Sequence, residues 1–392
     1  MKLVVGNFDF EHQLRPSGRR DLPERLRRLN AELAPALAIV ANDGDFVWTP
    51  QPVDDDFAAH LAAAGLPKVT FTRDEADVPA GAELCPWGWT AEMREWGRRN
   101  GWSCPAPDMA AVRRVNSRRF SFALEQEWGV ALDGACEIRS LADLEAAVNR
   151  LQNGAAGWVL KAEFSMSARE RILGRAGEIT SQQSQWAQRR ISQDGVLFFE
   201  PWVENIEEAG LQFTIPQSGA PILEGITPLL TDAGGQYRGS RIAPDETLAS
   251  HWSSAIDVGR RAAQRAQQSG YFGPLGIDAM RYRDLSGVER VRPLQDINAR
   301  WTMGRVSLGL RRLLRPGEHG TWLHLGRLAD SVDAARRWYE QIEQRLPSGV
   351  RMIRTSPCNV GGYSSGLATL VLIAPTAERL IEAEQLVLAG HN

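Results

Sequence analysis

A set of polar residues suited to holding a divalent cation occurs in two neighbouring strand-like segments. Asp296, Asn298 and Arg300 are spaced two apart in Leu-Gln-Asp-Ile-Asn-Ala-Arg, so on a strand their side chains share one face. Asp278 lies in the preceding apolar segment, Gly-Ile-Asp-Ala-Met. Because Mg²⁺ prefers oxygen ligands and shares its shell with phosphates, the two carboxylates and the amide predict a Mg²⁺ or Mn²⁺ site. Arg300 would then stand beside a transferring phosphoryl group. The alternative is the solvated face of an antiparallel strand pair.

Lys161 is a second residue whose position indicates chemistry. The chain has three lysines, and Lys161 alone lies in an apolar run, Gly-Trp-Val-Leu-Lys-Ala-Glu-Phe. Burying an unpaired ammonium costs several kcal/mol. Lysine offers a compact charge where arginine offers a planar fork, and the two are not interchangeable at a phosphate. The run therefore predicts a phosphate-binding lysine on a strand, with an exposed strand lysine as the alternative.

Composition restricts the class of protein. The 392 residues are 43% hydrophobic and 24% charged with a net charge of −3, which predicts a globular chain of two or three domains without general affinity for nucleic acid. No apolar run approaches the ~20 residues of a membrane span, and the first residues are too soon polar for a secretory signal. Cys85, Cys104, Cys136 and Cys358 form no CxxC pair, which favours reduced thiols and a cytoplasmic location.

Motifs of competing enzyme classes are missing from the sequence. It has no G-x-x-x-x-G-K-[ST], no G-x-G-x-x-G after a strand, and no H-E-x-x-H. The six histidines have no metal-ligand spacing. The nucleophile-elbow and Cys/His arrangements are also missing.

Strands and helices alternate at the start of the chain, which predicts a small α/β domain with a largely parallel sheet. The predicted strands are 3–5, 36–41 and 68–72, and the predicted helices are 22–33, 54–64 and 90–100. Pro105 and Pro107 indicate its boundary.

The rest of the chain is predicted to be mixed helix and strand. The predicted helices are 117–129, 140–153, 181–190 and 246–269, and the predicted strands are those around Lys161 and at 195–203, 209–216, 221–230, 273–283 and 289–297. A helical stretch and a strand–loop–strand–helix unit from about 350 complete it.

From residue 117 to 310 the chain resembles the ATP-grasp superfamily. Asp-Ile-Asn-Ala-Arg is similar to the Glu-x-Asn-x-Arg strand of carbamoyl-phosphate synthetase and biotin carboxylase, and Gly-Ile-Asp-Ala-Met to the preceding metal-ligand strand of D-alanine–D-alanine ligase. The resemblance implies an α/β (α+β) protein with an ATP-grasp fold after a small Rossmann-like pre-ATP-grasp domain. The expected units are 1–110, 111–195 with a phosphate loop, and 196–392 with the metal site.

The resemblance also implies where ATP binds. Arg118 and Lys161 would contact the phosphates, and Phe-Phe-Glu-Pro-Trp-Val would be the hinge at which Val203 meets adenine through its backbone. The implied nucleotide contacts are Arg118, Lys161, Ser165, Ser167, Glu200, Pro201, Trp202, Val203, Glu208 and Gln212. Ser165 and Ser167 stand where most members have glycines. Gln212 stands at the position of a ribose-binding Glu, and Glu207 and Glu208 are close enough to substitute for it.

The implied activity is ATP-dependent ligation of a carboxylate to an amine through an acyl phosphate, releasing ADP and phosphate. Its implied catalytic residues are Lys161 and Arg300. Segment 234–241 joins two elements and offers Arg238 or Arg241 as a carboxylate clamp, of which Arg241 is taken as the third catalytic residue; a solvated loop is the alternative. A phosphotransferase, a carboxylate–thiol ligase and a nucleotide-binding module without turnover stay open. The expected partners are small-molecule carboxylate and amine substrates without nucleic acid or membrane, and a homodimer is left open.

Overall fold

The computed structural model describes residues 1–15, 23–151, 157–164, 170–232, 234–242, 245–284 and 286–391. Within these residues the chain forms two four-stranded sheets, one eight-stranded sheet and a two-stranded ribbon. None of the described helices is long and apolar enough to cross a membrane.

The first sheet is entirely parallel, as the sequence predicts. Its elements are β1 (Lys2–Val5), α1 (Phe10–Gln13), α2 (Glu24–Leu33), β2 (Phe46–Trp48), α3 (Phe57–Ala63), β3 (Thr70–Thr72), β4 (Glu83–Pro86) and α4 (Ala91–Arg99). The strand order is β3-β2-β1-β4. Because β2 and β3 extend to one side of β1 while β4 lies on the other, the strand order reverses between β1 and β4.

One predicted strand in this region is wrong. Residues 36–41 do not form a strand, because Ala34–Val40 is a 3-10 helix. A short apolar run does not by itself distinguish a buried strand from a buried helical segment. Pro35 occupies the first turn, where its missing N–H has no partner to lose, and the residues from Ala34 to Ile39 are all buried. The segment therefore fills the core under the first sheet.

The second sheet is antiparallel in the order β5-β8-β6-β7. This part of the chain contains α5 (Met109–Asn116), α6 (Arg118–Trp128), β5 (Cys136–Ile138), α7 (Leu141–Arg150), β6 (Gly157–Ala162), β7 (Arg171–Arg175), α8 (Ser181–Asp194) and β8 (Leu197–Trp202). The predicted ends of α6 are confirmed, since Ser117 caps its start and Gly129, at a φ of 66°, ends it. Because β8 pairs with β6, the chain leaves this sheet at Val203, a few residues after the expected unit boundary at 195.

The third sheet is antiparallel in the order β13-β12-β9-β10-β11-β14-β18-β15. Its region contains β9 (Glu204–Ile215), β10 (Ile222–Thr231), β11 (Tyr237–Ile242), α9 (Asp245–His251), α10 (Ser253–Gln268), β12 (Gly273–Arg283), β13 (Glu289–Asn298), α11 (Met303–Gly309), β14 (His319–Gly326), α12 (Val332–Arg345), β15 (Arg351–Arg354), β16 (Asn359–Val360), β17 (Tyr363–Ser364), β18 (Leu367–Ala374) and α13 (Ala377–His391). The predicted strands 273–283 and 289–297 are confirmed.

Two features of this region differ from the sequence prediction. Most of segment 234–241, expected to be a loop, is strand β11, which pairs with β10 and β14. Its glycines and arginines are typical of a loop, so the sequence does not show the apolar alternation by which a strand is predicted. The single helix predicted at 246–269 is two helices that meet at Trp252, whose side chain is only 2% exposed.

The cores show how the layers meet. The first and third sheets share one continuous apolar core, whereas the second sheet has its own around Trp158, Leu160 and Phe199. A buried carboxylate, Asp54, joins the first sheet's region to the end of the chain, because it accepts the backbone N–H groups of Cys358 and Asn359. The second sheet is thus a separate lobe, and the candidate site lies where this lobe faces the third sheet.

Candidate active site

Two adjoining cavities open between the second and third sheets. Their volumes are about 250 Å³ and 650 Å³, together ample for a nucleotide-sized molecule. Residues common to both linings are Lys161, Arg171, Glu208, Leu229, Thr231, Gly235 and Gln295. The larger cavity continues along the connection from β8 to β9, and the smaller one continues to the first sheet.

The smaller cavity contains the predicted metal-binding residues. Asp278 on β12 and Asp296 on β13 are direct cross-strand partners, and Asn298 Nδ2 donates to Asp278 Oδ2 over 3.1 Å. Arg118 Nη2 lies 3.1 Å from Asp296 Oδ2. Burial, followed by the nearby charges of Asp296 and Glu208, raises the pKa of Asp278 to about 7. The structure therefore brings Asp278, Asp296 and Asn298 together. The negative charge of the two aspartates is only partly neutralised by Arg118.

This donor set fits a divalent cation that completes its shell with phosphates. No group of three or more His, Cys, Asp or Glu side chains within the described residues is arranged to hold a metal alone. Magnesium is commonly bound through one or two carboxylates plus substrate phosphates and water. Asp278 and Asp296 are the matching carboxylates, whereas the Oδ1 atom of Asn298 already accepts from Arg300 Nη2 over 2.9 Å. The two aspartates are therefore the better-placed ligands.

Arg300 follows the end of β13 and turns toward the first sheet. Its Nε atom donates to Glu11 Oε1 over 2.5 Å, and its guanidinium carbon lies 5.5 Å from the centre of the Trp87 ring. Arg300 and Glu11 both line the smaller cavity. Sequence reasoning missed Glu11, because a glutamate just after the first strand carries no signal that distinguishes it from a surface residue.

Lys161 belongs to a buried network of four charges. Its Nζ atom donates to Glu200 Oε2 over 2.6 Å, and the Lys161 side chain is only 12% exposed, which rules out the exposed strand lysine. Arg292 donates two hydrogen bonds to Glu125 and two to Glu200. Although burial opposes ionisation, Arg292 and Lys161 hold the pKa of Glu200 well below its usual range. Glu200 thus fixes the position of Lys161.

Two further cations line the cavities. Arg118, in the first turn of α6, lines the smaller cavity together with Lys161. Arg171 on β7 is the cross-strand partner of Lys161 and lines both cavities, with its guanidinium 5.8 Å from the centre of the Trp202 ring. Sequence reasoning missed Arg171. Three cations close together are suited to a polyphosphate.

The residues predicted to form the hinge line the larger cavity. Pro201, Trp202 and Val203 all border it, and Val203 lies between β8 and β9, outside the strands themselves. A backbone position outside the strand ladder is suited to pairing with an adenine edge. The predicted phosphate contacts Ser165 and Ser167 lie outside the described residues.

The candidates for a ribose contact occupy different places. Glu207 lines only the larger cavity, where its carboxylate contacts His251. Glu208 lines both cavities, and its carboxylate accepts hydrogen bonds from Thr231 and Gln295. Gln212 lines only the smaller cavity, where Thr302 donates to its Oε1 and its Nε2 donates to Thr227. Glu208 is therefore the best placed of the three to contact a nucleotide.

Arg241 is the one predicted catalytic residue that the structure does not bring to the cavities. It is half-exposed on β11 and donates to Glu384 of α13 over 3.2 Å. It lines neither cavity. Its contacts join the third sheet to the last helix.

Comparisons with solved structures identify the fold. The N5-carboxyaminoimidazole ribonucleotide synthetase of Thermus thermophilus superposes with a TM-score of 0.56 at 14% identity, covering 99% of this chain and 98% of that one. The N5-carboxyaminoimidazole synthase of Aspergillus clavatus, solved with ADP and 5-aminoimidazole ribonucleotide, gives 0.55 at 13% identity, covering 99% and 98%. The biotin carboxylase domain of the Hydrogenobacter thermophilus 2-oxoglutarate carboxylase, solved with MgADP and bicarbonate, gives 0.55 at 12% identity, covering 100% and 90%.

No protein-family model matches the sequence, and no curated protein matches it. The structural likeness spans nearly the whole chain at identities of 12% to 14%, a level at which it establishes the fold. The chain has the ATP-grasp fold of these synthetases and carboxylases. The α/β (α+β) fold class predicted from the sequence, with its parallel N-terminal sheet, is therefore confirmed.

Proposed function

We propose that this protein is an ATP-dependent carboxylate–amine ligase that works through an acyl phosphate and releases ADP and phosphate. The observation that carries the proposal is that the facing pair Asp278 and Asp296 lines the smaller cavity together with Lys161 and Arg171, which also line the larger one. In this proposal the aspartate oxygens bind a divalent cation, and Lys161 and Arg171 bind the phosphates. The structural neighbours supply a precedent, since two of them were solved with ADP.

ATP fits the site with its base in the larger cavity. The base would lie against Pro201, Trp202 and Val203, and the ribose near Glu208. The phosphates would pass Lys161 and Arg171 at the junction and reach the aspartate pair. A divalent cation held by the pair would neutralise the phosphate oxygens during transfer.

The protein's own groups then perform the positioning. A substrate carboxylate oxygen attacks the γ-phosphorus, the bond to the β-phosphate oxygen breaks, and ADP leaves. Amine attack on the acyl carbon follows, with loss of phosphate. Arg118, Lys161 and Arg300 would stabilise the negative charge of these transition states. Positioning and charge neutralisation would then account for most of the reduction of the activation barrier.

The structural neighbours suggest which classes of acid and amine to test as substrates. The Aspergillus clavatus enzyme was solved with an amine, 5-aminoimidazole ribonucleotide, and the Hydrogenobacter thermophilus domain with bicarbonate. Both reactant classes match a site that joins an acyl phosphate to a nitrogen nucleophile. Bicarbonate therefore belongs among the candidate acids for this protein, beside amino acids and simple carboxylates.

A coupled ADP-release screen with hydroxylamine tests the proposal. Hydroxylamine replaces the unknown amine and converts an acyl phosphate into a hydroxamate, so only the acid needs to be varied. We expect one acid class to give ADP and hydroxamate in equal amounts, and activity to require Mg²⁺ or Mn²⁺. A stable phosphate ester would indicate a phosphotransferase, and a thiol requirement a carboxylate–thiol ligase. Tight ATP binding without turnover on any acid would indicate a nucleotide-binding module.

A further inference from the structure

The smaller cavity extends beyond the aspartate pair to the first sheet. There its wall is formed by Phe8 and Glu11, which follow β1, and by Trp87, which follows β4. The strand order of this parallel sheet reverses between β1 and β4. In open parallel sheets, ligands bind outside the carboxyl ends of the strands at such a reversal. The end of the cavity thus lies at a position that favours a ligand.

Glu11 has an unused hydrogen-bonding atom at this end of the cavity. Its side chain is only 7% exposed, and Oε1 accepts from Arg300 Nε. The other oxygen, Oε2, is buried and has no hydrogen-bond partner among the described residues. An unsatisfied buried carboxylate oxygen is costly, and such atoms in native proteins are nearly always paired with a donor. The described part of the chain therefore leaves an acceptor open to a donor from outside it.

The surroundings of Glu11 are apolar and aromatic. The Phe8 and Trp87 rings lie with their centres 4.7 Å apart, and Leu29 and Leu33 of α2 complete this wall. These four side chains offer Glu11 no cation, and the charge of Arg300 is already shared between Glu11 and Asn298. The charge of Arg15 also acts on Glu11, but its guanidinium donates to the Phe164 carbonyl and to Glu170. A ligand that donates a hydrogen bond to Glu11 Oε2 and also packs against these apolar side chains must combine an N–H donor with an apolar body.

We propose that Glu11 Oε2 accepts an N–H group of the amine co-substrate, and that this amine carries an apolar, preferably aromatic body seated on Phe8, Trp87 and Leu29. This inference deepens the proposed function and rests on it. A carboxylate at the same place would bring two negative charges together without a cation between them. The acid is therefore assigned to the aspartate side of the cavity, where Arg118 and the divalent cation of the proposed function would offset its charge, and the amine to the Glu11 side.

Direct binding of small probes tests the assignment without turnover. Phenethylamine, 3-phenylpropanoate and ethylamine are titrated calorimetrically into the full chain with Mg²⁺ and a non-hydrolysable ATP analogue. We expect phenethylamine to bind roughly tenfold or more tighter than either of the other probes. Only phenethylamine can both donate to Glu11 Oε2 and pack a ring against the apolar wall. Equal or tighter binding of 3-phenylpropanoate would overturn the assignment.

Two variants identify the contacts, and a third serves as the control. Glu11→Gln keeps an acceptor for Arg300 but can place an amide N–H₂ at the Oε2 position, so phenethylamine affinity should fall roughly tenfold to hundredfold. Leu29→Ala should weaken phenethylamine but leave ethylamine unchanged. Glu92→Gln removes an exposed charge of the same domain and should change neither. Unchanged phenethylamine affinity in Glu11→Gln would overturn the proposal.

The ATP analogue separates this inference from the proposed function. Its own affinity is measured in the same titrations and should be unaltered in Glu11→Gln, which also shows that the variant is folded. If the analogue binds while phenethylamine shows no preference, the amine assignment fails and the nucleotide site stands. If the analogue does not bind, the proposed function fails, and the amine assignment, which rests on it, fails too.

Discussion

Asp278 and Asp296 face each other directly across β12 and β13, and the guanidinium of Arg118 contacts Asp296 from the side. Two facing carboxylates repel each other, and burial increases the cost because little water screens them. Burial, followed by the charges of Asp296 and Glu208, raises the pKa of Asp278 to about 7. The pair thus lowers the stability of the metal-free protein, as expected of a site that is completed by a bound cation.

Asp278→Asn should stabilise the metal-free protein while abolishing its response to metal. Because the pKa is about 4 in the unfolded chain and about 7 in the folded one, the destabilisation of the folded state develops above about pH 4 and is complete above about pH 7. The amide removes the charge that causes it. At pH 8 we expect a gain of about 1–3 kcal/mol in the free energy of unfolding, after allowing for relaxation of the site. The Mg²⁺–ATP-induced rise in melting temperature should disappear. Asp257→Asn on exposed α10 is the control, and a destabilised Asp278→Asn protein would contradict the repulsion.

Arg292→Met should lower the free energy of unfolding far more than an equivalent substitution on the surface. It leaves Glu125 and Glu200 buried without their principal cation, which typically costs about 3–5 kcal/mol. Arg265 makes a similar two-bond pair with Glu127, but both side chains are exposed and screened by water, so Arg265→Met should cost far less stability. Urea unfolding of both variants measures the difference. Equal losses would show that the buried network contributes no more than the surface pair.

Lys161→Arg should impair ATP binding although it keeps the charge. The Lys161 ammonium fits against Glu200 at 2.6 Å in a nearly buried position, and the larger planar guanidinium does not reproduce that geometry. We expect the apparent KM for ATP to rise roughly tenfold or more with little loss of stability. Lys68→Arg, at an exposed position, is the matched control. A KM that stays at the wild-type value would remove Lys161 from the phosphate site.

His324 should make stability depend on pH in the acidic range. Burial beside the Trp322 and Tyr237 rings lowers its pKa to about 3, whereas the unfolded chain titrates near about 6.5. Between these values the unfolded state binds the additional proton, so stability falls as pH drops through 6.5 and below. From pH 7 to pH 5 the loss is about 2 kcal/mol for one such residue. The free energies of unfolding of wild type and His324→Phe, from urea titrations at pH 7 and pH 5, should diverge by that amount. Identical pH dependences would contradict the lowered pKa of His324.

Strong local patterns allowed much of the fold to be predicted. The alternation in β12 and β13, and the cap residues Ser117 and Gly129, gave elements that the structure confirms. The errors have a common physical cause, since tertiary burial decided the outcome. Ala34–Val40 is helical although it is apolar enough for a buried strand, and Tyr237–Ile242 is a strand although its composition is typical of a loop.

The candidate site was predictable where spacing carried the signal. Asp296 and Asn298 share a strand, and their position beside Asp278 follows from the pairing of adjacent segments. Glu11 and Arg292 were not predictable, because their partners lie 289 and 167 residues away along the chain. Arg241 shows the reverse error, since an arginine near the site in sequence is used in a contact with the last helix.

The most direct test of the central claim follows the oxygen atoms of the acid. The acid found in the hydroxylamine screen is labelled with ¹⁸O in its carboxylate and turned over with ATP and hydroxylamine. The released phosphate is then analysed by mass spectrometry. An acyl phosphate transfers one carboxylate oxygen to phosphorus, so we predict one ¹⁸O atom in each released phosphate and none in ADP. Unlabelled phosphate released together with amide product would contradict the acyl-phosphate mechanism.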